Sequence, residues 1–223
     1  MKEIAENHFG TFVKYHRGIA AAMALTQNPR DYQTRVHVLW GPPGVGKSRA
    51  AYELARGSDG GVYTVDPPRC VGGGVWWDGY AGEHTVVIDE FRGWIMNGEM
   101  CRLIDRYPMR VETKGGRAQF TAKLIIITSN YPPDMWYRDK QNGGFRPLGA
   151  LTRRLEEYGE VIYMGSETYP TQESYKAQLA INGVPDTNCH GNIVQPVASS
   201  SVSANVVFSS SSLPFGAPFP NSS

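Results

Sequence analysis

The chain has 223 residues, of which 41% are hydrophobic, and this suits one medium-sized domain with a core and some appended segments. Its formal net charge of +1 excludes a strongly basic surface, so any nucleic-acid binding must depend on a local group of cations. The three cysteines form no Cys-x-x-Cys pair, which argues against a zinc site or a disulfide framework, and no apolar run approaches membrane-spanning length.

The first 30 residues are predicted to be helical, because apolar side chains recur along them until Asn28-Pro29 ends the pattern. This segment is too short to fold alone. We therefore expect it to pack on the main domain or on a neighbouring subunit, and we interpret residues 1–32 as a helical oligomerisation segment.

A phosphate-binding loop follows the first predicted strand, residues 35–40. The sequence GPPGVGKS fits the pattern G-x-x-x-x-G-K-[S/T] at every fixed position, and an Ala-rich predicted helix, 47–56, comes next. In this context Lys47 is expected to reach the β- and γ-phosphates of a nucleotide, and Ser48 to hold Mg²⁺. The predicted loop consists of Gly41, Pro42, Pro43, Gly44, Val45, Gly46, Lys47 and Ser48.

Two further strands end in polar residues. The β-branched run 85–88 leads into Asp89, which is suited to binding Mg²⁺, and Glu90, which is suited to polarising an attacking water. The run 124–127 leads to Asn130, which can hydrogen-bond the γ-phosphate or that water. Ligands of parallel sheets bind at the carboxyl ends of the strands, so we expect these residues to meet the phosphate loop at one edge.

The remaining pattern alternates between strands and helices. It predicts an α/β fold with a doubly wound parallel sheet, which we assign to residues 33–165. The other elements are predicted as a strand at 62–65, a helix at 99–106, a hairpin of strands 109–113 and 118–122 with its tip at 114–117, a helix at 147–157 and a last strand at 161–164.

The predicted helix at 147–157 carries a candidate catalytic arginine. In ring-shaped ATPases an arginine of one subunit commonly completes the site of its neighbour, and Arg154 is our candidate, with Arg153 second. The alternative is a solvated helix face paired with Glu156 or Glu157. Beyond it, residues 166–184 are interpreted as a peripheral segment, and the Ser-rich residues 185–223 as a disordered tail.

Several segments of the chain carry a family resemblance. In chain order they resemble the superfamily 3 helicase domain, and more closely the replication-associated (Rep) proteins of circoviruses and their relatives among circular single-stranded DNA viruses. The segments are Gly41-Pro42-Pro43-Gly44, Trp76-Trp77-Asp78-Gly79-Tyr80, Val86-Val87-Ile88-Asp89-Glu90-Phe91, Asp105-Arg106-Tyr107-Pro108, Val111-Glu112-Thr113-Lys114-Gly115-Gly116 and Thr128-Ser129-Asn130.

The resemblance covers residues 3–165 and implies a P-loop NTPase of the AAA+ type. It further implies ATP and Mg²⁺ as cofactors, a homo-hexameric ring, ATP-driven movement along single-stranded DNA in rolling-circle replication, and a location in the host nucleus. The hairpin resembles one that projects into the ring channel, which places Lys114 at the tip and Arg117 beside it as nucleic-acid contacts. Arg154 gains support because the family has an arginine before the last strand.

The chain departs from the Rep pattern in one respect. The rolling-circle endonuclease of such proteins needs a His-hydrophobe-His metal motif and a nucleophilic Tyr followed by Lys, and the five histidines here form no His-x-His. We therefore expect that these residues do not carry the nicking activity. Two other functions stay open: an RNA helicase or RNA-binding ATPase of a small virus, and an assembly module that binds ATP without motor activity.

Overall fold

A five-stranded parallel sheet forms the centre of the part of the chain that the computed structural model describes, namely residues 2–26, 28–68, 74–137 and 149–182. Its strand order is β2-β3-β6-β1-β7, and β4 and β5 form a separate antiparallel hairpin. The strands are β1 (Arg35–Trp40), β2 (Val62–Thr64), β3 (Thr85–Ile88), β4 (Arg110–Thr113), β5 (Gly116–Gln119), β6 (Leu124–Ser129) and β7 (Gly159–Tyr163). The predicted α/β fold with a parallel sheet is confirmed.

Helices connect the strands and precede the sheet. They are α1 (Lys2–Asn7), α2 (Phe9–Thr26), α3 (Lys47–Arg56), α4 (Asn97–Ile104), α5 (Gly149–Tyr158) and α6 (Gln172–Asn182), with a 3₁₀ turn at Pro133–Met135. Within the described ranges, none of them has the length and apolar character that crossing a bilayer requires.

Successive side chains of the central strands pack on opposite faces of the sheet, as the two-residue period of a strand requires. On one face Leu39, Val87 and Ile126 pack with three alanines of α3, whose small side chains let the helix lie close to the strands. On the other face Ile88 and Ile127 belong to a larger cluster that includes side chains of α4, α5, α6 and the hairpin. This two-sided burial explains why the central strands are continuous apolar runs.

Several predicted boundaries are wrong by a few residues. The helix predicted at 99–106 is α4 at Asn97–Ile104, because Asp105 has extended backbone angles and ends it. The turn of the hairpin is Lys114-Gly115, so Arg117 lies within β5 and not at the tip. Helix α6 was not predicted, since Tyr175 and Leu179 are its only buried side chains and give a weak pattern. The predicted tail, 185–223, and the first two residues of the helix predicted at 147–157 lie outside the described residues.

The predicted N-terminal helix is present as α1 and α2, but much of its apolar surface faces solvent. Phe9 is 70% exposed and Val13 is 56% exposed, and Tyr15 is exposed as well. These three side chains therefore do not pack on the sheet domain. The segment was expected to pack on the main domain or on a neighbouring subunit, and for these three side chains only the contact with a neighbouring subunit stays a prediction.

A buried arginine fastens the segment before β1 to the end of α4. The Arg30 guanidinium is 1% exposed and donates hydrogen bonds to the carbonyl oxygens of Arg102, Leu103 and Tyr107, and to the hydroxyl of Thr34. A cation is favourable at this place because the C-terminus of a helix carries partial negative charge. Burial nevertheless lowers the Arg30 pKa to about 10.

Candidate active site

The register of the sheet brings the predicted site residues to one edge. Strand β6 lies between β1 and β3, with Ser129 opposite Trp40 and Ile127 opposite Ile88. The phosphate loop after β1, the carboxylates after β3 and the polar end of β6 therefore leave the sheet side by side. The backbone N–H of Gly41 also donates to the Ser129 carbonyl oxygen at 3.2 Å, which joins the start of the loop to β6.

A cavity of about 290 Å³ opens at this edge. Its walls come from the phosphate loop, the turn after β3 and the end of β6. The lining residues are Pro43, Gly44, Gly46, Lys47, Ser48, Arg49, Glu90, Thr128, Ser129 and Asn130. The structure thus brings four of the predicted functional side chains, Lys47, Ser48, Glu90 and Asn130, to one cavity, and Asp89 lies next to them in contact with Ser48. The roles assigned to these residues stay predictions.

The glycines of the loop are required by its backbone. Gly44 and Gly46 have φ angles of +82° and +87°, which residues with a Cβ rarely adopt. A Cβ on Gly41 would lie 2.1 Å from the carbonyl oxygen of Met164, so the loop could not pack against the segment after β7. The glycine pattern in the sequence is therefore explained by local backbone geometry and by close packing.

Lys47 is held inside the loop. Its side chain is 8% exposed, and its ammonium group donates to the carbonyl oxygens of Gly41 at 3.0 Å and Pro42 at 2.7 Å. Burial lowers the Lys47 pKa to about 8, although the charges of Glu90 and Asp89 act in the opposite direction. A phosphate group in the cavity would offer the ammonium a stronger acceptor than a neutral carbonyl.

The side chains of Ser48 and Asp89 are suited to binding a magnesium ion. The Ser48 hydroxyl donates to Asp89 Oδ1 at 2.8 Å, so a hydroxyl and a carboxylate oxygen already adjoin each other at the start of α3. Mg²⁺ prefers oxygen ligands and takes one or two from protein when it bridges nucleotide phosphates. Ser48 and Asp89 would hold the ion, which when bound would neutralise charge on the phosphates.

Glu90 has an unusual backbone conformation. With φ at 49°, it is the one non-glycine residue of the described ranges that has a positive φ. This region is unfavourable for a side chain with a Cβ, by roughly 1–2 kcal/mol. Thr128 holds the turn in place, because its hydroxyl accepts the Glu90 N–H at 2.9 Å and its carbonyl accepts the Phe91 N–H at 2.7 Å. Such strain is characteristic of functional sites, where the surrounding structure enforces it.

Thr128 is a site residue that the sequence did not reveal. Its hydroxyl donates to Asp89 Oδ1 while accepting the Glu90 N–H, and its side chain is 1% exposed. One group thus orients both acidic residues. The available signal was a hydroxyl at the end of an otherwise apolar strand, two residues before Asn130. Arg49 was also missed; it lines the cavity and pairs with Glu53 at 2.9 Å.

Asn130 lies on a segment that Ser129 fixes. The Ser129 hydroxyl donates to the Phe91 carbonyl at 2.7 Å and accepts hydrogen bonds from the Tyr131 N–H and the Trp136 indole, each at 3.0 Å. Because Ser129 is fully buried, this network joins the turn after β3 to the segment after β6. Asn130 therefore enters the cavity from a rigid support.

The two candidate arginines do not line the cavity. Arg154 donates to Asp105 Oδ2 at 2.8 Å and to the Ala150 carbonyl at 3.0 Å, and its hydrogen bond to the Asp105 carboxylate raises the Arg154 pKa. Arg153 pairs with Glu157 at 3.2 Å, the solvated pairing considered for this helix. A position outside its own cavity is what a residue acting on a neighbouring subunit requires, and that role stays a prediction.

The cations predicted to contact nucleic acid are exposed and paired within the chain. Lys114 Nζ lies 3.0 Å from Asp78 Oδ2, and an Arg117 guanidinium nitrogen lies 3.2 Å from Glu112 Oε1. Neither cation lines the cavity. The structure thus separates a candidate nucleotide site at the sheet edge from a candidate strand-binding site on the hairpin.

Comparison with known proteins extends these observations. Residues 37–131 match the family model described as RNA helicase. The replication-associated protein of Porcine circovirus 2 is 47% identical over 154 residues, which are 68% of this chain and 46% of that protein. That of Canary circovirus is 46% identical over 160 residues, 71% of this chain and 50% of that protein.

A more distant relative is a viral genome polyprotein. The genome polyprotein of Norovirus, strain Norwalk, is 34% identical over 152 residues, which are 61% of this chain and 8% of the polyprotein. The chain spans about half the length of the circovirus relatives it matches. The family-model match, residues 37–131, includes the phosphate loop and the strand ends that form the cavity. Together the comparisons identify the chain as a relative of the circovirus replication-associated proteins that carries a helicase domain of superfamily 3.

Proposed function

We propose that this chain is the ATP-dependent motor part of a viral replication protein. It hydrolyses ATP with Mg²⁺ and uses the energy to move along single-stranded DNA during replication. The observation that carries the proposal is that Lys47, Ser48 and Glu90 line one cavity and that Asp89 accepts a hydrogen bond from Ser48 beside it. The relatedness to circovirus replication-associated proteins supports the choice of DNA and of a replication role.

In this proposal each residue of the cavity has one task. Lys47 exchanges its two carbonyl partners for the β- and γ-phosphates. Ser48 and Asp89 hold Mg²⁺. Glu90 accepts a proton from the attacking water at its carboxylate, and Asn130 orients that water or the γ-phosphate.

The assembly is the second part of the proposal. Arg154 acts on the cavity of the next subunit, in a homo-hexameric ring, and the exposed apolar side chains of α2 contribute to the contact between subunits. Lys114 and Arg117 of each hairpin engage phosphates of the strand in the channel, so that the ring multiplies a small contact. We place the protein in the host nucleus, as its resemblance to circovirus replication-associated proteins implies.

The experiment that tests the proposal is steady-state ATP hydrolysis by the purified chain, with and without single-stranded DNA. Lys47→Ala serves as the control for contaminating ATPases. We expect hydrolysis by the parent chain that DNA stimulates and that Lys47→Ala abolishes. Hydrolysis that no nucleic acid stimulates, together with a failure to displace a DNA strand, would instead indicate an ATP-binding assembly module.

The RNA alternative is favoured by the description of the matching family model, which is RNA helicase. Matched DNA and RNA duplexes with single-stranded tails of the same sequence separate the two functions. Strand displacement on the DNA duplex alone supports the proposal, whereas displacement on the RNA duplex alone overturns its choice of substrate.

A further inference from the structure

The tip of the β4–β5 hairpin binds a carboxylate of its own chain. The backbone N–H of Lys114 donates to Asp78 Oδ1 at 2.6 Å, and the Lys114 ammonium lies 3.0 Å from Asp78 Oδ2. One residue therefore binds both oxygens of a single anion, with its main chain on one side and its side chain on the other. Gly115, with φ at +95°, completes the turn that permits this arrangement.

The loop that carries Asp78 has a firm support. The Trp77 N–H donates to the Glu112 carbonyl at 2.8 Å, which ties the loop to β4. The Trp77 side chain is fully buried, and its ring packs edge-on against Tyr80 and Phe120 at centroid distances of 5.7 and 5.4 Å. Asp78 is thus presented to Lys114 by a rigid element, and the hydrogen bonds from Lys114 lower the pKa of its carboxyl.

The two terminal oxygens of a phosphodiester can accept hydrogen bonds from the same two donors of Lys114. The phosphodiester, like the carboxylate, carries one negative charge shared by two terminal oxygens, and a backbone N–H together with an ammonium is a common phosphate-binding pair. The Lys114 side chain is 77% exposed and that of Asp78 is 38% exposed, so a strand can reach the pair. Exposed ion pairs of this kind are weak and exchange readily.

We propose that the Lys114 tip is a binding site for one phosphodiester of a single strand and that Asp78 is its built-in competitor. This inference rests on the proposed function, which assigns the hairpin to nucleic acid. A strand that binds must displace Asp78, so the carboxylate lowers the affinity of every subunit and speeds release. A translocating protein needs such release, because each contact must be broken once per step.

The test is binding of the full chain to a fluorescein-labelled oligodeoxythymidylate, measured by anisotropy at several salt concentrations. Asp78→Asn keeps an oxygen acceptor for the Lys114 N–H but removes the charge. We expect this variant to bind about three- to tenfold more tightly than the parent. Its affinity should also fall more steeply with salt, with about one more ion released on binding, because the parent frees a carboxylate that takes up a cation and the variant does not.

Two controls make the result specific. Glu112→Gln removes one negative charge from the same hairpin but frees Arg117 instead of the tip, so it should give a smaller gain. In the double variant Asp78→Asn with Lys114→Ala, the gain should disappear. Thermal unfolding of each variant checks that the fold is retained.

The outcomes separate this inference from the function on which it rests. If Asp78→Asn binds no better than the parent, or gains only as much as Glu112→Gln, Asp78 is not a competitor for the strand. A loss of affinity in Lys114→Ala would still support the contact between the hairpin and the strand in that case. Equal binding by the parent and by Lys114→Ala overturns both the contact and the competitor. Failure of both the parent chain and Asp78→Asn to bind the oligonucleotide at any salt concentration has the same meaning.

Discussion

The hydroxyl of Thr128 donates a hydrogen bond to Asp89 Oδ1, and these two residues lie 39 positions apart in the chain. The same hydroxyl accepts the N–H of Glu90. The end of β6 thus fixes the orientation of both acidic residues that follow β3. A single side chain thereby couples the proposed metal ligand to the proposed general base.

Thr128→Val should lower the turnover number for ATP by about 10- to 100-fold, because partners of this kind orient the ligands of a metal. Valine has nearly the same shape but removes the hydroxyl that donates to Asp89 and accepts the Glu90 N–H, so that Asp89 keeps only its bond from Ser48. The effect should appear in kcat and in the Mg²⁺ concentration needed for half-maximal rate, and less in nucleotide affinity. Thr128→Ser retains the hydroxyl and should recover most of the activity. Equal rates for the valine and serine variants would contradict the positioning role.

Glu90→Gln should leave nucleotide binding intact and stop turnover. Glutamine has the size of glutamate and can occupy the same backbone conformation, but its amide cannot accept the proton of an attacking water. Binding is measured with a fluorescent ATP analogue, and turnover by phosphate release. Glu167→Gln, at an exposed position, is the matched control. Hydrolysis by Glu90→Gln at the parent rate would show that another group activates the water.

Mixing two inactive variants tests whether Arg154 acts between subunits. Lys47→Ala removes the phosphate contact but keeps Arg154, while Arg154→Ala does the reverse. Each variant alone should have little activity, and the mixture should recover part of it, because some interfaces then combine an intact cavity with an intact arginine. A mixture of Lys47→Ala with Glu90→Gln should recover none, since both changes affect the same cavity.

Arg153→Ala completes that experiment. Arg153 pairs with Glu157 on its own helix and should be replaceable with little loss of activity. Full activity of Arg154→Ala alone would show that its bond to Asp105 is purely structural. Loss of activity in Arg153→Ala, with Arg154→Ala unaffected, would assign the role to the second candidate.

Arg30→Met should destabilise the fold by about 3 kcal/mol, because it leaves buried carbonyl oxygens at the end of α4 without donors. Urea unfolding followed by circular dichroism measures the change. Arg106→Met is the matched control, since its partner Asp31 lies 3.5 Å away on the surface and such pairs contribute about 0–1 kcal/mol. Similar losses for the two variants would mean that the carbonyl contacts of Arg30 are unimportant.

The sequence predicted those parts of the molecule that depend on local pattern. The phosphate loop has fixed spacing, and the runs before Asp89 and Asn130 are strands whose ends must meet if the sheet is parallel. Thr128, Asp78 and Asp105 could not be assigned in this way, because their roles come from contacts with residues 36 to 49 positions away. A pairing of that kind depends on register and side-chain direction, which hydrophobic periodicity does not record.

The predicted ends of helices and strands were wrong where several neighbouring residues were equally suited to end the element. The Asp105-Arg106-Tyr107-Pro108 segment suggested a helix end at the proline, but the helix ends before Asp105, whose carboxylate then binds Arg154. Arg117 was grouped with the tip because Gly115 and Gly116 both suit a turn. The two-residue turn Lys114-Gly115 instead moves it into β5, opposite Glu112.

The hydrogen bonds of Lys47 to the Gly41 and Pro42 carbonyls have a consequence for selectivity. A ligand that replaces either bond gains only the difference between its own bond to the ammonium and the bond that it replaces. Inorganic phosphate, which has no further attachment to the protein, should therefore compete poorly. In the proposed function, a nucleoside triphosphate would be held by the loop and by magnesium as well and would meet this threshold. The loop would then discriminate against small anions without any group that repels them.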